Sequence, residues 1–209
     1  MKEGNIMELT SIKALELIEN ERNKKPNNEH WINHSICVGN VASVIANALN
    51  LDVDYAKTLG YIHDIGKKFD YIEDGVFPHA IKGYEYIKSL GYDEEYAGIC
   101  IKHSFLNNDI DCISNDRDET DRTNPNFEFV KKYIKDEYTI YEKIINLCDL
   151  MCTTKVLTID KRGMDLLLRH GVYAKTHYHI KETYKLKAYF DDLLGYNLYD
   201  LFPEIKDNL

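Results

Sequence analysis

Apolar residues recur at three- and four-residue spacing along most of this chain, and that period limits its fold more than any other feature. Residues so spaced share one face of an α-helix. Glu8 to Glu21 carries Leu9, Ile12, Leu15 and Ile18. Trp31 to Leu49 carries Cys37, Val38, Val41, Ile45 and Ala48, and Thr139 to Cys152 carries Ile140, Ile144, Ile145 and Cys148. Further helices are expected over Tyr55 to Gly66, with Asp52 or Asp54 as its cap. Another begins in "DGVFPHA" with Pro78 in its first turn. "LGYDEEYAGICIKHSF" makes the next, and helical spacing resumes near Phe127. From about Asp160 the chain reads as more helices ending at "LFPEI". Only four prolines and eleven glycines interrupt 209 residues, and no segment reads convincingly as a strand. The expected fold is all-α, at a length that suits one domain with a helical extension. The pattern fails from Asn107 to Asn126, a polar, acidic stretch; a loop this long inside a domain is functional or disordered.

Composition narrows the function classes. The net charge of −9 opposes general nucleic-acid binding, because displacing counterions from phosphates needs Lys and Arg. A local basic cluster could still hold a small phosphate compound. Five cysteines without a CxxC pair read as reduced core thiols of a cytoplasmic protein. "MKEGNIMELT" has no apolar signal region, and no apolar run approaches the ~20 residues of a membrane span.

Several polar residues fall inside the apolar stripes. His34 lies three and four residues before Cys37 and Val38, and His63 four after Leu59. His103 is four after Ile99, and Asp149 is four after Ile145. Each therefore faces the apolar side of its own helix. One buried imidazole is ordinary, since a single hydrogen bond satisfies it. A buried carboxylate needs a partner, and neither Asp64 nor Asp149 has an obvious Lys or Arg on its inner stripe. Inward histidines together with two inward aspartates are explained by a divalent metal. Imidazole and carboxylate without thiolate suit Fe or Mn best, with Zn, Ni or Mg as alternatives. Four ligands from His34, His63, Asp64 and Asp149 would leave two positions of an octahedral ion open for water and substrate.

The order His34, then His63-Asp64 within "HDIGK", then Asp149 resembles the HD superfamily of metal-dependent phosphohydrolases over roughly Trp31 to Thr154. The resemblance implies an all-α HD-domain bundle over 29–156, an N-terminal helix and turn over 1–28, and a C-terminal helical extension over 157–209. It also implies hydrolysis of phosphate esters or anhydrides, with His34, His63, Asp64 and Asp149 at the metal positions. His79 and His103 fall where two-metal branches carry extra histidines. The pattern is similar to the YqeK-like branch, which cleaves diadenosine tetraphosphate symmetrically. That likeness implies a second metal on His79 and His103, with Asp64 bridging the two. The chain departs from the branch at "HSFL" after His103 and at "CDLMCTT" around Asp149, so the metal centre transfers better than the substrate.

Lys67 follows the HD pair by three residues and is expected to face the substrate phosphate, where a cation offsets the charge of the transferring group. Lys67 and Lys68 also suit a helix C-terminus as simple caps. Arg162 is a further phosphate-binding candidate, with Arg169 behind it. The mechanism so implied is attack of a metal-bound hydroxide on phosphorus, with Asp64 and Lys67 as the catalytic side chains. The expected partner is a small phosphorylated substrate of nucleotide type, without nucleic acid or membrane. Two other readings keep the fold: a single-metal nucleotidase, and a non-catalytic sensor of metal or nucleotide. His30, His170, His177 and His179 are expected at the surface or in local structural roles.

Overall fold

The computed structural model describes residues 7–69, 78–112, 125–134 and 136–208. Among these the regular elements are all helical, and an isolated bridge joins Cys152 to Val156. Helix α1 spans Ser11–Glu19, α2 Asn28–Ala48, α3 Val53–Ile62, α4 Pro78–Ser89, α5 Glu94–Ala97 and α6 Ile99–Lys102. Helix α7 spans Pro125–Ile134, α8 Ile140–Asp149, α9 Ile159–His170 and α10 Thr176–Leu194. Short 3₁₀ turns sit at Ile65–Lys68, Leu106–Asn108, Leu198–Leu201 and Pro203–Asn208.

The helix starts follow capping chemistry. Thr10 accepts a hydrogen bond from the Lys13 amide, and Asp52 accepts one from the Tyr55 amide at 3.0 Å. Thr139 and Glu142 form a reciprocal capping box that begins α8. Asp54, the other cap candidate, instead accepts from the Ser11 amide at 3.0 Å and ties α1 to α3. That contact turns α1 so that Ser11, Ala14 and Ile18 are buried, and Ile12 of the expected stripe is 73% exposed.

The core is formed where α2, α3 and α8 meet, with Ile32, Val38, Ile45, Leu59, Ile62 and Ile145 buried. Each such side chain contributes about 1.5–3 kcal/mol of apolar burial. Helices α2 and α3 cross backbone to backbone: a Cβ on Gly60 would stand 2.4 Å from the Gly39 Cα. No other residue permits that approach, and it brings the His34 and His63 turns together.

Two expected helices are broken. Tyr55 to Gly66 is not one helix: α3 stops at Ile62, His63 and Asp64 form a turn, and a 3₁₀ turn follows. The cause is tertiary. A Cβ on Gly66 would lie 1.8 Å from the His79 carbonyl oxygen, so α4 packs on the chain at the point where a straight helix would continue. The segment ending at "KHSF" is likewise two single turns, α5 and α6, separated at Gly98. The acidic stretch from Asn107 lies mostly outside the described residues. The C-terminal helices rest on the same core through the buried Leu186 and Phe190. Asn107 donates to Glu182 of α10 at 2.7 Å. Among the described residues, no helix is long and apolar enough to cross a membrane.

Candidate metal centre

Five helical segments deliver side chains to one buried point. His34 comes from the middle of α2, and His63 and Asp64 from the turn after α3. His79 comes from the first turn of α4, His103 from the end of α6, and Asp149 from the last residue of α8. All six residues expected from the sequence are therefore brought together. They fall into two groups, His34, His63 and Asp149, then Asp64, His79 and His103. Within each group the donor atoms lie within 4.8 Å of one another.

Asp64 stands between the groups. Its Oδ2 lies 3.6 Å from His34 Nε2 and 3.5 Å from His63 Nε2. Its Oδ1 lies 3.8 Å from His79 Nε2 and 3.5 Å from His103 Nε2. Asp149 Oδ1 is 3.0 Å from His34 Nε2 and 4.0 Å from His63 Nε2. The Lys67 ammonium pairs with Asp64 Oδ2.

Backbone carbonyls fix the imidazoles. His63 Nδ1 donates to the Gly60 carbonyl at 2.7 Å, His103 Nδ1 to Ile99 at 3.1 Å, and His34 Nδ1 to Thr153 at 3.2 Å. With Nδ1 turned to a carbonyl, each ring directs Nε2 to the centre, the usual orientation of metal-ligating histidine. Burial pushes His63 down to about 4 and His79 down to about 3, so both are neutral at pH 7. Burial by itself would raise Asp64, but Lys67, His63 and His103 outweigh it and hold that carboxyl well below the usual range. Burial opposes ionisation of Asp149 in the same way, and His34 outweighs it.

A divalent ion fits this donor set. His63 Nε2 is fully buried, has no hydrogen-bond partner, and points at two carboxylates. An unpaired buried acceptor costs about 1–3 kcal/mol, and an ion would satisfy it. Both groups are nitrogen and oxygen donors without thiolate, although all five cysteines are free.

The candidate phosphate-binding residues separate. Lys67 stays at the centre, with its side chain 38% exposed. Lys68 turns away to Glu21 at 2.8 Å and lies over the Tyr86 ring. Arg162, buried on α9, directs Nε to the Asp149 carbonyl at 3.5 Å and pairs Nη1 with Asp165 at 2.5 Å. Arg169 pairs with the same Asp165 carboxylate at 2.7 Å and is half exposed. His30, His170 and His177 are exposed, and His179 is buried but belongs to neither donor group.

One supporting residue escapes the sequence reading. Buried Asn146 donates to the carbonyls of Lys102 at 3.0 Å and His103 at 3.1 Å, and so holds the His103 turn against α8. Its signal was present: Asn146 lies three residues before Asp149, on the same helix face.

The HD domain family matches residues 31–153. Ribonuclease Y of Protochlamydia amoebophila is 33% identical over 112 residues, which is 51% of this chain and 21% of that protein. Ribonuclease Y of Thermosipho melanesiensis is 35% identical over 75 residues, 36% of this chain and 14% of that protein. Clostridium botulinum ribonuclease Y is 42% identical over 60 residues, 29% and 11% respectively. The matches thus span about a tenth to a fifth of the length of these relatives. Among solved structures, the HD domain of the L. monocytogenes phosphodiesterase PgpH aligns at a TM-score of 0.45 and 17% identity, over 86% of this chain and 95% of that one. With more than half of its length matched, and with the paired histidines and aspartates gathered at one buried centre, this chain belongs to the HD domain family of metal-dependent phosphohydrolases.

Proposed function

We propose that the chain hydrolyses a phosphate ester or anhydride of a small nucleotide-type compound at a two-metal centre. The observation that supports two ions is the division of the Asp64 carboxylate, with Oδ2 toward His34 and His63 and Oδ1 toward His79 and His103. In this reading His34, His63 and Asp149 hold one ion, His79 and His103 hold the other, and Asp64 bridges them. Fe or Mn suits the mixed imidazole and carboxylate donors. Bound there, divalent ions lower the pKa of water and neutralise phosphoryl oxygens. Lys67 orients Asp64 through their ion pair and offers its exposed ammonium face to a phosphoryl oxygen. Arg162 holds the Asp149 carbonyl and adds a cation at that edge of the site. A dinucleoside polyphosphate is the finer substrate reading, in keeping with the YqeK-like spacing of His79 and His103.

The relatives favour a second reading. They are named ribonucleases, which makes an RNA phosphodiester the competing substrate. The net charge of −9 weighs against it.

The test is elemental analysis of protein purified without chelator, followed by a substrate panel. The panel holds dinucleoside polyphosphates, nucleoside monophosphates, cyclic nucleotides and a short RNA. Two metal equivalents per chain and turnover of a small nucleotide are expected. One equivalent overturns the bridging role of Asp64, and turnover of RNA alone overturns the substrate class. Full metal content without turnover of any compound would point to a sensor.

A further inference from the structure

A second cleft lies between α9 and α10, outside the metal centre, with a volume of about 250 Å³. Its walls include Leu150, Ile159, Leu166, Leu167 and Ile180. Among the described residues, no Lys or Arg lines it, so an anionic ligand would find no partner there. Tyr173 and Tyr184 contribute aromatic surface.

One polar group in the cleft lacks a partner. His179 is only 9% exposed, and its ring makes no hydrogen bond to any described residue. Its neighbours differ. The Thr176 hydroxyl accepts from the Tyr173 amide at 2.9 Å, and the Thr183 hydroxyl donates to the His179 carbonyl at 2.8 Å. Buried imidazoles are ordinarily satisfied, so His179 is a hydrogen-bonding group held in reserve. Burial lowers its pKa to about 4, which keeps the ring neutral at pH 7 and able to donate from one nitrogen or accept at the other.

Gly163 points the same way. It lies inside α9, where glycine is less favourable than alanine. A Cβ there would meet nothing within 4 Å, so packing does not require glycine. Its missing side chain widens the cleft. Apolar walls, a few placed polar groups and open volume describe a small-ligand site. Cavities of this order take one or two rings, and tyrosine surfaces pair with rings edge-on or offset.

We propose that the α9–α10 cleft binds a neutral planar aromatic or heteroaromatic ring that exchanges a hydrogen bond with His179. The ring has two sources, a free ring compound or the organic group of the phosphorylated substrate. The second is open because Leu150, in the cleft wall, directly follows Asp149.

Calorimetric titration of the full chain with adenosine and guanosine, with ribose as control, tests the site. Saturable binding of at least one nucleoside and none of ribose is expected. His179→Leu removes the hydrogen bond and Gly163→Leu fills the space, and each should weaken binding at least about tenfold. Gly163→Ala, which adds one methyl to open space, should bind within about threefold of wild type. No saturable binding of either nucleoside, or unchanged affinity in both the His179→Leu and Gly163→Leu proteins, overturns the proposal. Titration with AMP separates the sources. An equal loss of AMP affinity in His179→Leu places the substrate's own ring in the cleft, whereas AMP affinity unchanged beside weakened adenosine binding marks a separate ligand. Failure of the whole phosphate-ester panel would overturn the proposed hydrolysis and leave the nucleoside titration unaffected.

Discussion

His63 and His179 are both buried imidazoles whose pKa burial pushes down to about 4, yet their surroundings differ in kind. His63 is fixed by a carbonyl on one side and faces two carboxylates on the other. His179 makes no ring hydrogen bond to any described residue and lines a largely apolar cleft. One ring is preset for a cation, since its free lone pair sits among negative charges. The other suits a neutral partner, since among the described residues no Lys or Arg lines the cleft, its Asp160 carboxylate accepts from the Tyr184 hydroxyl, and Asp149 acts only through charge. The same residue type under the same burial is thus assigned different chemistry by the charge of its neighbours.

Removing the carboxylate that sets the first environment should have the largest effect. Asp64→Ala is expected to abolish metal retention and turnover together, read by elemental analysis and by hydrolysis of the best panel substrate. Full activity with full metal content in that variant would end the metal-centre reading. Gly66→Ala tests whether the turn carrying Asp64 is set by the approach of α4. Its Cβ would collide with the His79 carbonyl, and a backbone clash of this kind should destabilise by about 2–4 kcal/mol. A denaturant midpoint unchanged from wild type would show that α4 yields instead.

The second environment is tested by acid. A folded pKa of about 4 for His179, against an ordinary 6.5, means the unfolded chain binds more protons between those values. Stability from this group is therefore full above about pH 6.5 and is lost as pH falls toward 4, by up to about 3 kcal/mol. Asp149 acts in the opposite direction on the ring, and Asp160 lines the same cleft. His179→Leu should flatten this part of the acid limb, measured as denaturant midpoints at pH 7, 5 and 4. A limb as steep as wild type would mean that the ring is hydrated in the folded protein. The smallest effect is expected from Gly163→Ala, which should stabilise by about 0.5–1 kcal/mol through helix propensity. A loss of stability there would show that the cleft closes on the glycine.

Much of the metal centre was legible because a His or Asp within an apolar stripe is a physical anomaly. His34, His103 and Asp149 announced themselves by three- and four-residue spacing, and Asp64 by the cost of burying an unpaired carboxylate. Asn146 shares that spacing but does not stand out in the sequence, since a neutral amide is less costly to bury than a charge. The fate of the two lysines was not legible. Lys67 and Lys68 are adjacent and chemically equal, but one meets Asp64 and the other Glu21, forty-seven positions away in the chain.

Local periodicity determined the all-α class and the inward direction of most metal-facing side chains, because a helix places residues three and four apart on one face whatever surrounds it. Tertiary structure alone decided that His63 and Asp64 sit on a turn, that the two oxygens of Asp64 face different histidines, and that His179 is enclosed. Each of these depends on where a distant helix packs, and neither helical period nor residue type encodes that position.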